Sequence, residues 1–372
     1  MNVLYSFPKI IFDFGAVEAL AAELESLGIK RPLIITDQGL VEHGVFEAVR
    51  RALDGRNEFA LFDEIPENPT VAGVERALEA YRANDCDGIV GLGGGSVLDS
   101  GKALRVAATH PGPILDYLLD AGKITENVAP YITIPTTAGT GAEITYGGGI
   151  HPETNAHSLG IRSPHVKPDT AICDPDLTRT LPPRLTAATG MDAIGHAIEG
   201  FVSNQFNPPA EAIALDAIRR VVTYIERAVA DGNDREARFE MQMAALEGGM
   251  AIYMGLGPIH ALANAFGDSP LHHGTLVTVA APAVMRFYDG RIDDKLAPIH
   301  QAMGLDAGTG IAAGIEALNQ RIGMPKTVRE MGYQGEDLDT ISQVTIDSHF
   351  NKSAPLLPSD DEFRQIVIEV LG

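Results

Sequence analysis

Short apolar runs and amphipathic stretches alternate along the first half of the chain. Pro32-Leu33-Ile34-Ile35-Thr36 reads as a buried strand. Gly88-Ile89-Val90-Gly91-Leu92 reads as a second strand, and Tyr131-Ile132-Thr133-Ile134-Pro135 as a third. Between them, Val71 to Ala83 places its apolar residues at helical spacing. Strands without polar alternation are buried on both faces, and helices between them make βαβ units. The pattern therefore predicts an α/β domain built on a parallel sheet. In such sheets ligands sit beyond the C-terminal ends of the strands.

The pattern changes near Leu181-Pro182-Pro183. Long helical periods then follow one another with few strand signals: Ala187 to Ser203, Pro209 to Ala230 and Asp234 to Met254. The expected organisation is an α/β nucleotide-binding domain over 1–182 and an all-α, metal-binding domain over 183–372.

Two loops in the first half suit a dinucleotide. Gly93-Gly94-Gly95-Ser96 follows the second predicted strand directly, and Val97 to Ala108 reads as a helix. Glycines there let the backbone approach a phosphate, and a helix N-terminus supplies oriented N–H donors. A tight strand-to-helix turn is the plainer reading of the glycines. Asp99, expected in the first helical turn, is a candidate cap or ribose contact. The stretch is not a nucleotide-triphosphate P-loop: Ser96 stands where its first glycine is required and Ala103 where its Ser or Thr is required. The second loop runs Pro135-Thr136-Thr137-Ala138-Gly139-Thr140-Gly141-Ala142-Glu143, with the hydroxyls of Thr136, Thr137 and Thr140 as candidate contacts. Asp37 ends the first predicted strand. An acidic side chain there accepts a ribose hydroxyl and repels a 2′-phosphate, favouring NAD over NADP; a simple turn residue is the alternative.

The second half carries metal-ligand chemistry. Asp192 and His196 are four residues apart on one predicted helix, so they share a face. His260 begins another apolar helical pattern, and His273 precedes Gly274. One carboxylate and three imidazoles make an N/O site suited to Fe(II) or Zn(II).

Charge narrows the partners. The 372 residues carry a formal net charge of -22, which repels nucleic-acid backbones and anionic lipids. A small-molecule substrate is expected, with neither nucleic acid nor membrane. The two cysteines, Cys86 and Cys173, have neither metal spacing nor a disulfide framework, which fits a reducing cytoplasm. The opening residues, Met1 to Lys9, lack the basic and apolar regions of a signal peptide. No run reaches the roughly 20 apolar residues of a membrane span.

Taken in order, these motifs resemble the iron-containing (group III) alcohol dehydrogenase family. The resemblance rests on Gly93-Gly94-Gly95-Ser96 with Asp99, on the threonine-rich loop, on Cys173-Asp174-Pro175 and Leu181-Pro182, on Ala188-Thr189-Gly190-Met191-Asp192-Ala193, on His196 with Glu199, and on His272-His273-Gly274. It implies a dehydroquinate synthase-like architecture: a dinucleotide-binding α/β domain, a helical domain and a site in the cleft between them. It implies a metal-dependent, NAD(P)-linked alcohol dehydrogenase or aldehyde reductase, with Asp192, His196, His260 and His273 as ligands, Asp37 selecting NAD, and a homodimer or higher homo-oligomer. Phe12-Asp13-Phe14-Gly15-Ala16-Val17, Pro66-Glu67-Asn68-Pro69-Thr70, Phe206-Asn207-Pro208-Pro209-Ala210 and Leu271-His272-His273-Gly274 are most similar to 4-hydroxybutyrate dehydrogenases. They imply a short substrate with an anionic end, such as 4-hydroxybutyrate or succinate semialdehyde. Arg162 and Lys352 are candidate partners for that end, or plain surface charges.

Two departures stand out. Many members carry a second histidine four residues after the third ligand, where this chain has Asn264. Asparagine hydrogen-bonds but does not shuttle a proton at neutral pH. The spacing from His260 to His273 is also one residue short. Two alternatives follow from the architecture: a dehydroquinate synthase-type lyase, which regenerates its NAD, and a catalytically degenerate member of the family.

Overall fold

The computed structural model describes residues 6–53 and 58–372. Met1–Tyr5, on which the reading of the N-terminus partly rests, lie outside the described residues. The chain forms two compact units. One comprises Ser6–Thr137 and Ala142–Leu181; the other joins Ala138–Gly141 to Pro182–Gly372.

The first unit is built on a six-stranded sheet of β1 (Lys9–Phe12), β2 (Pro32–Ile35), β3 (Ala60–Phe62), β4 (Gly88–Gly93), β5 (Tyr131–Pro135) and β8 (Thr170–Cys173). The strand order is β1-β8-β5-β4-β2-β3, and every pair is parallel. A separate antiparallel hairpin pairs β6 (Gly147–Ile150) with β7 (Leu159–Arg162). Alternate residues of each central strand serve opposite faces. Leu33, Ile35, Ile89 and Tyr131 enter one core, and Ile34, Val90, Leu92, Ile132, Ile134 and Ile172 enter the other. That is why β2, β4 and β5 are apolar throughout: helices cover both faces. Their sequence signal was correspondingly clear.

The strands without such a signal are the edges and the hairpin. β1 and β3 lie at the sheet margins and are only partly buried. β6 contains three glycines and so has no apolar period to read. The helix Val71–Ala83 falls where periodicity placed it and is capped by Thr70, whose hydroxyl accepts from Gly73 N at 3.1 Å.

The second unit is helical. Its central helix, Pro183–Val202, is buried at every position from Thr186 to Val202. A helix apolar all round needs neighbours on every side. These are Pro208–Ala230, Arg235–Ala251 and His273–Tyr288. The helix Pro258–Ala265 packs in turn on His273–Tyr288. Among the described residues, no helix is long and apolar enough to cross a membrane.

Candidate metal centre and nucleotide loops

In the first unit the glycine loop behaves as a helix entry. Gly94 is the N-cap of the helix Gly95–Ala107 and offers no side-chain cap. Its first-turn N–H groups are therefore left for an outside acceptor. Thr137 lies against Gly94: a Cβ on that glycine would be 3.1 Å from Thr137 Cγ2. Thr136 is buried, and its N–H donates to Gly93 O at 3.1 Å, so the two loops are tied together. Ser96 donates its hydroxyl to Glu67 O. Thr140 falls within Ala138–Gly141, the segment that groups with the helical unit.

One placement is corrected, and two acidic residues prove to have partners of their own. The helix begins at Gly95 rather than Val97, so Asp99 stands in the second turn and caps nothing. Its carboxylate accepts from Lys102 Nζ at 3.0 Å and from Gly149 N at 3.0 Å. Lys102 is fully buried and also donates to Thr145 Oγ1 at 2.9 Å and Gly147 O at 2.6 Å. Asp99 and Lys102 thus fasten the glycine-rich hairpin to the helix, a contact between residues 50 apart in the chain. Asp37 is an N-cap, with Oδ1 accepting from Leu40 N at 3.0 Å at the start of Gln38–Glu42. The cap uses Oδ1 alone.

Arg162 lies on β7, where its guanidinium donates to Tyr146 Oη at 2.8 Å and covers the Tyr146 ring. Lys352 belongs to the other unit, in the short 3-10 segment His349–Ser353. The exposed Lys352 is two residues from Phe350, whose ring meets that of His260 edge-on at 6.1 Å.

The candidate ligands gather in the helical unit. Asp192 and His196 lie on Pro183–Val202, His260 in the first turn of Pro258–Ala265, and His273 opens His273–Tyr288. One ligand atom each from Asp192, His260 and His273 lies within 4.8 Å of the others. Asp192 Oδ1 is the shared point: His260 Nε2 is 3.6 Å away, His196 Nε2 3.7 Å and His273 Nε2 4.0 Å. His196 joins this group through Asp192 and stacks its ring on His260 with centroids 4.6 Å apart. Asp192, His196 and His260 are buried, while the His273 side chain is 46% exposed.

These separations are too long for hydrogen bonds. They suit ligands around one ion, because two bonds of roughly 2.1 Å at a tetrahedral angle set donors about 3.4 Å apart. Asp192 Oδ1 and His260 Nε2 are buried with no hydrogen-bond partner. Buried polar atoms left unpaired are costly, so such a pair marks a place where a cation belongs. The donor set fits a divalent transition ion.

Charge in the cluster follows from burial and mutual contact. Burial raises the Asp192 carboxyl, but the surrounding imidazoles outweigh it and hold the group well below the ordinary carboxylate range. Burial lowers His196 to about 4, against the pull of Asp192, so its ring is neutral and ready to donate a lone pair. Burial also lowers His260, yet the nearby carboxylates of Asp192 and Glu199 reverse this and raise it to about 9.

Glu199 is the residue whose part was not read from sequence. Its carboxylate accepts from His260 Nδ1 at 2.6 Å, from Ile259 N at 2.6 Å and from His260 N at 3.3 Å. The signal was there: 192, 196 and 199 fall at i, i+4 and i+7 of one helix face. Asn264 lies in the last turn of Pro258–Ala265, half-buried, and its main-chain carbonyl accepts from Gly267 N at 2.9 Å.

Comparison with known proteins settles the family. The family described as iron-containing alcohol dehydrogenase matches residues 8–175, and the C-terminal domain of the Fe-containing alcohol dehydrogenase family matches 186–371. The chain belongs to the iron-containing alcohol dehydrogenases. It is 42% identical to a 4-hydroxybutyrate dehydrogenase of Cupriavidus necator, over 99% of each chain. Among solved structures, a 1,3-propanediol oxidoreductase superposes with TM-score 0.94 at 31% identity over all of both chains. A sulfoacetaldehyde reductase of Bifidobacterium kashiwanohense, solved with NAD+, superposes with TM-score 0.90 at 27% identity over 100% of this chain and 99% of that one. As a member of this family of alcohol dehydrogenases the chain is an oxidoreductase, which sets aside the lyase reading.

Proposed function

We propose that this iron-containing alcohol dehydrogenase interconverts a short alcohol and its aldehyde with NAD, and that the substrate carries an anionic end. The observation that carries the reading is the convergence of Asp192, His196, His260 and His273, with Asp192 Oδ1 and His260 Nε2 buried and unpaired. These four residues would hold a divalent iron. Bound there, it supplies Lewis acidity toward the alcohol oxygen.

The remaining parts are assigned to the chain's own residues. The 1–182 domain binds the nucleotide and the 183–372 domain the metal. Gly94, Gly95 and Ser96, at the entry of Gly95–Ala107, present N–H groups to the pyrophosphate, with Thr136, Thr137 and Thr140 bordering it. Asp37 keeps acceptor capacity for a ribose hydroxyl beyond its cap, and its charge disfavours a 2′-phosphate. The nicotinamide brings the hydride chemistry, and the protein positions it. Lys352 pairs with the anionic end of the substrate; Arg162, engaged by Tyr146, is the weaker candidate. Asn264 orients by hydrogen bonding and carries no proton. The relative acting as a 4-hydroxybutyrate dehydrogenase supports a substrate of that shape.

Steady-state assays test the reading: chelator-stripped protein, then protein reloaded with Fe(II) or Zn(II), against propanal and succinate semialdehyde with NADH or NADPH. Activity is expected only after reloading, with NADH preferred and succinate semialdehyde favoured over propanal. Undiminished turnover by stripped protein overturns the metal assignment. Equal kcat/KM for the two aldehydes overturns the anionic substrate.

A further inference from the structure

The helix Pro258–Ala265 has an unusual start. Its N-cap is Gly257, which has no side chain to satisfy the first N–H groups. The acceptor comes instead from a different helix. Glu199, 2% exposed, turns Oε1 to Ile259 N at 2.6 Å and Oε2 to His260 N at 3.3 Å. The same Oε2 receives His260 Nδ1 at 2.6 Å. A Cβ on residue 257 would be 2.9 Å from Glu199 Oε1, so the capping position must be glycine for the carboxylate to come this near.

We infer that Glu199 is a positioning residue for the metal centre: one buried carboxylate that caps the helix carrying His260 and also dictates which ring nitrogen of His260 faces the ion. The inference rests on the metal-centre reading above. A carboxylate only accepts, so the ring nitrogen it touches must be the one bearing hydrogen. That places the proton of the neutral ring on Nδ1 and leaves the lone pair on Nε2, the buried atom without a partner that faces Asp192 Oδ1 at 3.6 Å. Carboxylates that hold a ligating imidazole in this way raise metal affinity roughly 10–100-fold.

The two duties separate in Glu199→Gln. The amide oxygen still accepts from Ile259 N, so the shorter cap contact survives and only the 3.3 Å contact from His260 N is given up. The amide NH2 then faces Nδ1 and favours the tautomer with its proton on Nε2, the wrong nitrogen for an ion. The experiment measures Zn(II) affinity of stripped full-length protein by competition with a chromophoric chelator, alongside the metal-free thermal midpoint.

E199Q is expected to bind Zn(II) roughly 10–100-fold more weakly, with its metal-free midpoint close to that of the parent. Glu199→Ala is expected to lose affinity and midpoint together. In a His260→Ala background, E199Q should weaken binding no further, because its target is gone. Wild-type affinity in E199Q overturns the inference. So does failure of E199Q to fold, since glutamine keeps the shorter of the two cap contacts. An equal loss on adding E199Q to His260→Ala overturns it as well. Asp192→Ala guards the underlying reading: if the parent and D192A bind Zn(II) alike, the metal centre itself is wrong, whatever E199Q does.

Discussion

Gly101 offers a test in which two known effects oppose each other. It lies inside the helix Gly95–Ala107, and on helix propensity alone Gly101→Ala should stabilise by about 1 kcal/mol. The structure predicts the opposite sign. A Cβ at residue 101 would lie 2.2 Å from Tyr131 Oη and 2.3 Å from Cζ, far inside the roughly 3.5 Å of carbon contacts. The ring has little room to retreat. Gly91, on the neighbouring strand, also faces it, with a Cβ there 2.5 Å from Oη. Tyr131 is fully buried and donates its hydroxyl to Leu98 O at 2.9 Å. Overpacking costs roughly 1–3 kcal/mol, and displacing that hydrogen bond adds about 1 kcal/mol. After the propensity gain, about 1–3 kcal/mol of destabilisation remains. For a unit of this size class each kcal/mol lowers the melting midpoint by roughly 2–4 °C. The chain has no tryptophan, so calorimetry or circular dichroism provides the readout. Tyr131→Leu should recover part of the loss in the Gly101→Ala background while destabilising the parent. A midpoint at or above the parent's, or strictly additive effects of the two substitutions, would refute the argument that Tyr131 is locked between the two glycines.

Three further outcomes follow from the same geometry. Lys102→Met leaves Asp99, Thr145 and Gly147 O without their shared donor; breaking so buried a pair costs roughly 3–5 kcal/mol, and faster amide exchange at Gly149 should accompany the fall in thermal midpoint. Glu143 is buried, and desolvation raises its carboxyl from 4.5 to about 7. The folded state therefore holds a proton that the unfolded chain has released, so this residue costs stability increasingly as pH rises from about 4.5 to about 7. At about 1.36 kcal/mol per pKa unit the penalty approaches about 3 kcal/mol, and Glu143→Gln should melt higher than the parent at pH 8 yet match it near pH 4.5; a difference independent of pH would count against this account. Asp37→Ser keeps a hydroxyl cap on Gln38–Glu42 but removes the charge, so the ratio of kcat/KM for NADPH over NADH should rise at least about tenfold, or about 1.4 kcal/mol, with the melting midpoint nearly unchanged.

Much of this protein was legible in one dimension because local sequence and local physics agree. The doubly covered strands β2, β4 and β5 announce themselves because nothing on either face needs a polar residue. Asp192 and His196 announce a shared face because helical spacing alone brings them there. Motif order was enough to name the family. Edge strands and the glycine hairpin were silent, since partly buried or side-chain-poor segments leave no period.

Only the tertiary structure decided what the charged residues do. A sequence shows that Asp99, Lys102, Asp37 and Glu199 are present. It does not show that the first two clasp a hairpin folded back from residues 147–149, that Asp37 caps its own helix, or that Glu199 caps another. The reason is physical. Hydrophobic burial tolerates many partners and so leaves a pattern along the chain, whereas a buried charge needs particular donors within about 3 Å. Those donors come from wherever the fold delivers them.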